Sequence, residues 1–189
     1  SLYMDGNATI IAANKLLAAM RKEDGTLRTY DEMKAEGIET KYLGRYETNT
    51  TPGLCRLDPN TGIGDPTPAF TYCLNLAEVE VDTKTGKTTV LKFTCVDFVG
   101  RIGNIDAVNG QAYSGIMHGI GFALKEDYAD VKKHANMFGA GTSYIKDVPD
   151  DIDLIHIDGA ISDGPFGSSG ASEAFQASGH CAVLNGIYL

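Results

Sequence analysis

The sequence predicts an α+β fold, with a mixed or antiparallel sheet built on a β-hairpin over residues 70–99 and packed against a glycine-rich helix and a C-terminal helix. Three observations carry this. Residues 70–99 alternate in polarity around a turn signal, Thr83-Lys84-Thr85-Gly86-Lys87. The stretch that follows Asn109 holds Gly110, Ala112, Ser114, Gly115, Gly119, Gly121 and Ala123 at helix-compatible spacing. A helix-like run, Ala174 to Leu189, comes directly after the loop Gly164-Pro165-Phe166-Gly167-Ser168-Ser169-Gly170-Ala171-Ser172-Glu173.

In chain order, residues 7–22 read as a helix with Asn7 as N-cap and Ile10, Ile11, Leu16, Leu17 and Met20 on one face, ended by Asp24-Gly25. Thr29 with Glu32 is a capping-box pattern for a short helix over Tyr30–Glu36, stopped by Gly37. Residues 37–69 are turn-rich, with Pro52, Pro59, Pro66 and Pro68, and Asp58-Pro59-Asn60-Thr61-Gly62 reads as a turn. In the hairpin, Glu78, Glu80 and Asp82 share one face by the period of two, which reads as a solvated sheet face. Asp130–Asn136 is polar, and Gly139–Thr142 is a turn. The alternation of Ile152–Ile157 completes the sheet with a strand over about 152–158.

The net charge of −9 argues against nucleic acid or an anionic membrane surface as partners. No apolar run approaches the roughly 18 residues of a membrane helix. Cys55, Cys73, Cys95 and Cys181 have no C-x-x-C spacing, so zinc ribbons and iron–sulfur clusters on this chain are excluded, and buried thiols in a reducing cytoplasm are expected. His118, His134, His156 and His180 stand apart from one another, so no metal ligand set is expected. Ser1-Leu2 is not a natural start and Ile187-Tyr188-Leu189 stops inside an apolar pattern, so both ends read as cut from a larger polypeptide.

The glycine loop brings backbone close to whatever lies beside it, and the helix start expected at Glu173 favours an ionised carboxylate there. Each interior glycine after Asn109 costs about 1 kcal/mol of helix propensity, so either a neighbouring helix or a large flat ligand approaches that helix.

These stretches carry a resemblance. GPFGSSGASE resembles the C-terminal signature of the molybdenum-binding subunit of the xanthine dehydrogenase/aldehyde oxidoreductase family, with Ser172 where that family usually has Gly. Gly64–Phe70 followed by Ala77–Gly86 resembles the family's hairpin segment, and Gly110-Gln111 through Leu124-Lys125-Glu126 resembles its glycine-rich helix. A further departure is Asp106, near where the family has Pro after Asn.

The resemblance makes residues 1–189 the C-terminal portion of a molybdopterin-binding domain, within a larger subunit. It tilts the glycine-rich helix toward a ligand. It implies hydroxylation of an aldehyde or nitrogen heterocycle with water as oxygen source, with Glu173 as general base. Gln111, Gly110, Ser169 and Gly170 are the implied pterin contacts, Gln111 acting from a helix N-terminus as both donor and acceptor. The implied cofactor is molybdopterin, in its plain or cytosine dinucleotide form, held by the full-length enzyme and not by this chain alone. The implied partners are the remaining molybdenum-subunit domains, iron–sulfur domains and, where used, a flavin domain. The isolated chain is expected to fold without turnover. The alternative is a non-catalytic binding module that keeps the scaffold, supported by Ser172 and the cut ends.

Overall fold

A computed structural model describes residues 2–47, 57–64, 67, 69–161 and 163–189. The readings at Pro52, Cys55, Asp65, Pro66 and Pro68 lie outside the described residues. The chain divides into two compact units, Ser1–Phe70 with Ile161–Ser169, and Thr71–Ala160 with Gly170–Leu189.

The first unit is built on α1 (Leu2–Met20) and α2 (Tyr30–Ala35). Asn7 is not the N-cap: α1 begins at Leu2, with Tyr3 buried and Asp5 in its first turn, and the Asn7 amide instead donates to the Asp163 carbonyl at 3.1 Å. Gly6 lies where a Cβ would sit 2.6 Å from Pro165, and a Cβ on Gly44 would fall 1.8 Å from the Ala8 carbonyl oxygen, so both glycines let other segments seat against α1. The capping box of α2 is present as expected, with Thr29 accepting from the Glu32 N–H and Glu32 from the Thr29 N–H. Lys22 and these amide donors hold the Glu32 carboxyl down at about 2. The turn at 58–62 is also as expected: Asp58 accepts from the Asn60 N–H at 2.7 Å, and Gly62 takes φ +68°.

The second unit holds the sheet. Strands β1 (Tyr72–Val81) and β2 (Thr88–Phe98) form the antiparallel hairpin, and β3 (Asp151–His156) adds to β2 in parallel, in the order β1-β2-β3. The sheet is therefore mixed, and it packs against helices as expected. At the hairpin turn Asp82 accepts from the Lys84 N–H at 2.9 Å and the Thr85 hydroxyl at 2.7 Å, while Gly86 takes φ +74°. Glu78 and Glu80 are exposed, as a solvated face requires. Further along β1 that outer face is apolar, with Tyr72, Leu74 and Leu76 each more than half exposed. Cys73, Asn75 and Ala77 turn the other way, and these small side chains leave room for helices.

On that inner face, Phe93 and Cys95 pack with Ala112, Ile116 and Ile120 of α3 (Ile105–Leu124), with Phe175 of α5 (Ser172–Ala177) and with Val183 of α6 (Gly179–Tyr188). A short helical turn, α4 (Met137–Ala140), ends at Gly141 with φ +78°, where a turn was expected. Two boundaries differ from expectation. Asn104 caps α3 by accepting from the Ala107 N–H at 3.0 Å, so the helix starts before Asn109 and Gln111 lies inside it. The C-terminal run is broken at Ser178, whose hydroxyl accepts from the Asn75 amide at 2.9 Å, leaving α5 only six residues long.

The glycines of α3 resolve into two kinds. A Cβ on Gly115 would lie 2.6 Å from the Phe175 Cβ and 2.9 Å from the Gln176 backbone nitrogen, and one on Gly119 would lie 3.0 Å from the Gly179 Cα. At these positions helix packing, not a ligand, explains the glycine. A Cβ on Gly110 would meet nothing within 4 Å. Gly115→Ala is thus expected to destabilise the chain by about 1–3 kcal/mol through overpacking against backbone, which outweighs the propensity it gains. Gly110→Ala is expected to stabilise by up to about 1 kcal/mol. Urea unfolding of the two variants tests this, and equal effects would contradict the packing assigned to Gly115.

Candidate active site

The loop that delivers Glu173 crosses from one unit to the other. Its first part, through Ser169, belongs to the first unit. There a Cβ on Gly164 would fall 2.0 Å from the Ser168 carbonyl oxygen, which only glycine avoids. Phe166 is exposed and takes the left-handed φ of 52°, a conformation that costs a bulky residue about 1 kcal/mol or more. Ser169, the last residue of that part, is buried.

The second part begins at Gly170, whose carbonyl accepts from the Thr71 hydroxyl at 2.7 Å. Asn75 of β1 holds the next turn through Ser178 and, at 3.5 Å, the Phe175 carbonyl. Fully buried Phe175 anchors α5 in the core, and Glu173, two positions earlier, is exposed. The expected dipole contribution at Glu173 is small, because α5 has too few aligned peptides.

Gln111 is also exposed. Its neighbouring N–H groups are not free, since Asn104 starts α3 two turns earlier and they bond within the helix. The side-chain amide is what remains for a ligand. Its placement follows from helix register. Gly115 faces Phe175 and Gly119 faces Gly179, the same offset at both points, so α3 runs parallel to the α5–α6 segment. Gln111 lies one turn before Gly115 on α3, and Glu173 lies two residues before Phe175 in the first turn of α5, each ahead of the same packing contact.

A cavity of about 460 Å³ lies elsewhere on α3, lined by Tyr113, Ser114 and Met117 together with Ile145–Ile152 residues such as Val148 and Asp150. None of the expected site residues lines it.

Sequence reasoning missed a buried polar group. His156 is not isolated: its Nδ1 lies 2.6 Å from Asp97 Oδ2 and its Nε2 lies 2.8 Å from Asn109 Oδ1. The Asp97 side chain is fully buried and its Oδ1 has no partner. Burial pushes the Asp97 carboxyl up, with His156 opposing. The signal was present in the alternation, which places Asp97 after Phe93 and Cys95, and His156 after Ile152 and Leu154, on the faces that turn inward. Beside them Cys73 and Cys95 approach with their sulfurs at 3.4 Å, and both are free thiols. The shared contact and burial push the Cys95 thiol up, while the same contact lowers Cys73. Among the described residues no group of three or more His, Cys, Asp or Glu could hold a metal. No helix among them is long and apolar enough to cross a membrane.

The sequence matches the model of the molybdopterin cofactor-binding domain over residues 1–149, and the chain belongs to that family. The match stops short of the glycine loop. The loop is included in the similarity to the aldehyde oxidoreductase of Megalodesulfovibrio gigas, which is 42% identical over 184 residues, covering 97% of this chain and 20% of that protein. The crystal structure of the aldehyde oxidoreductase from Desulfovibrio desulfuricans superposes with a TM-score of 0.89 at 43% identity, over 100% of this chain and 20% of that one. A probable hypoxanthine oxidase of Escherichia coli is 31% identical over 112 residues, 57% of this chain and 12% of that protein. The chain thus spans about a fifth of the length of its first relatives.

Proposed function

We propose that this chain supplies the general base and one pterin-contacting amide of a molybdenum hydroxylase that acts on an aldehyde or a nitrogen heterocycle. The observation that supports the reading is the packing of Gly115 on Phe175 and of Gly119 on Gly179, with Gln111 one turn ahead of that contact on α3 and Glu173 two residues ahead of it on α5, both exposed. The residues there fit a molybdopterin. An amide offers a donor and an acceptor to a pterin edge, Gly110 leaves the helix surface open to close approach, and a carboxylate without a side-chain partner among the described residues is available to move a proton.

When bound, the molybdenum cofactor supplies the two-electron redox centre of the hydroxylation. The chain's own part is to orient the pterin through Gln111 and to accept a proton on the Glu173 carboxylate as water-derived oxygen is transferred. Thr71 and Asn75 keep that carboxylate in place by tying Gly170 and α5 to β1. The reading adds Gly170 and Ser169 as further pterin contacts, on the resemblance of the glycine loop to the family signature.

The rest of the cofactor's grip comes from other domains of the molybdenum subunit, and electrons leave through iron–sulfur domains and, where used, flavin. Support for neighbouring domains comes from the apolar outer face of the sheet, where Tyr72, Leu74, Leu76 and Ile155 lie at the surface. The unbridged thiols Cys73, Cys95 and Cys181 support a cytoplasmic setting.

Molybdenum and pterin content of the complete enzyme tests this. Gln111→Ala is expected to lose at least half of its pterin on gel filtration, whereas Glu173→Gln retains it. The chain alone is expected to retain neither metal nor pterin. Full cofactor retention by Gln111→Ala would remove the amide contact, and absence of cofactor from every form would favour a binding module without catalysis.

A further inference from the structure

Asp97, His156 and Asn109 join three elements of the second unit. Asp97 on β2 and His156 on β3 are register partners across the parallel pair, and Asn109 reaches them from α3. The His156 ring lies between the other two, its Nδ1 toward the Asp97 carboxylate and its Nε2 toward the Asn109 side-chain amide, so each ring nitrogen has one fixed partner. Asp97 is fully buried and the His156 ring largely so, which leaves little water to compete with these directional bonds.

The place of Asn109 on the helix gives the bond its purpose. The fully buried residues of α3 start at Ala112, and the turns before it hold only partly buried Val108 among the residues packed on the core. Ile105 is about half exposed. Full apolar burial on α3 therefore begins at Ala112, with Val108 only partly packed ahead of it, and Asn109 adds a polar tie to the sheet at that turn. Gly110 and Gln111 lie directly between Asn109 and Ala112. A slip of one residue there would move the amide about 1.5 Å along the axis and turn it by about 100°.

We infer that Asp97, His156 and Asn109 form a polar latch, anchored on the buried Asp97, that fixes the height and rotation of the first turns of α3, making His156 a positioning residue for the Gln111 amide. The inference rests on the reading of Gln111 as a pterin contact. The latch itself stands apart from that reading, and the two are separable by experiment.

Amide hydrogen exchange of the intact protein tests the latch, and pterin release from the complete enzyme tests its purpose. In His156→Leu the amides of residues 108–111 are expected to exchange at least tenfold faster while those of 116–124 keep their protection. His156→Gln, which retains a donor, is expected to recover part of the loss. Asn109→Ala, which leaves the Asp97–His156 pair intact, gives the same local loosening and serves if His156→Leu does not fold. In the complete enzyme, Asn109→Ala is expected to release pterin several-fold faster, in the direction of Gln111→Ala. Unchanged exchange at 108–111 in both Asn109→Ala and His156→Leu would overturn the latch. Faster exchange with pterin release unchanged, while Gln111→Ala still releases it, would overturn the positioning role. If Gln111→Ala itself releases nothing, the pterin-contact reading falls and the positioning role with it, whereas the exchange result still decides the latch.

Discussion

Replacing Glu173 by Gln is expected to lower turnover of the complete enzyme by about 10²–10⁴-fold with its molybdenum and pterin content unchanged. The size of the effect comes from the chemistry and its selectivity from the structure. An amide of the same shape accepts a hydrogen bond but cannot take up a proton as a carboxylate does. Glu173 is exposed, and among the described residues its side chain has no partner, so the fold loses nothing by the exchange. Phe175, not Glu173, anchors α5, and Asn75 and Thr71 hold the adjoining backbone. Glu173→Asp keeps the base but withdraws it by a methylene, and an intermediate rate is expected. The measurement is kcat at saturating substrate beside cofactor content. A Gln variant within about twofold of the wild-type rate would exclude the general-base role.

Replacing His156 by Ala is expected to destabilise the chain by about 3–5 kcal/mol at neutral pH, because it leaves Asp97 as a buried carboxylate with neither oxygen paired. The sign of the pH dependence follows from Asp97. Burial places its folded-state value above the unfolded one, and His156 is what pulls it back down. Without His156 the folded carboxyl takes up a proton more readily. The cost of the buried charge is present above that folded value and fades as pH falls through it. The stability gap between His156→Ala and wild type should therefore narrow toward acid pH. Adding Asp97→Asn to His156→Ala should recover part of the loss at neutral pH, since it removes the charge and leaves a neutral amide. Urea unfolding across pH 5–8 reads both effects, and a gap that does not change with pH would show that Asp97 is not the charge left behind.

Much of this fold was legible in the sequence because its signals are local. The alternation of residues 72–98 and the Asp82–Gly86 turn specify the hairpin without help from elsewhere, and the Thr29–Glu32 box specifies α2. Boundaries failed where competing caps lie close together. Asn104 and Asn109 can each cap a helix, and tertiary contacts selected Asn104 for that role and gave Asn109 to His156. The break at Ser178 was invisible because its cause is Asn75, a residue about a hundred positions away. The glycines of α3, expected to serve a neighbouring helix or a ligand, divide by position. Gly115 and Gly119 belong to helix packing, and Gly110 is the glycine that stays open. Asp97 and His156 carried a readable signal, polar groups on inward faces, but their meeting depends on the parallel pairing of β2 with β3, which no local pattern specifies.

The central claim is that Glu173 stands beside the metal of a molybdenum cofactor. Diffraction from crystals of the complete enzyme, collected on either side of the molybdenum absorption edge, tests it most directly. The account predicts one strong anomalous peak next to the Glu173 carboxylate, with the pterin density reaching the Gln111 amide. A molybdenum peak remote from Glu173, or pterin density with no contact to the turn of α3 that carries Gln111, would contradict it.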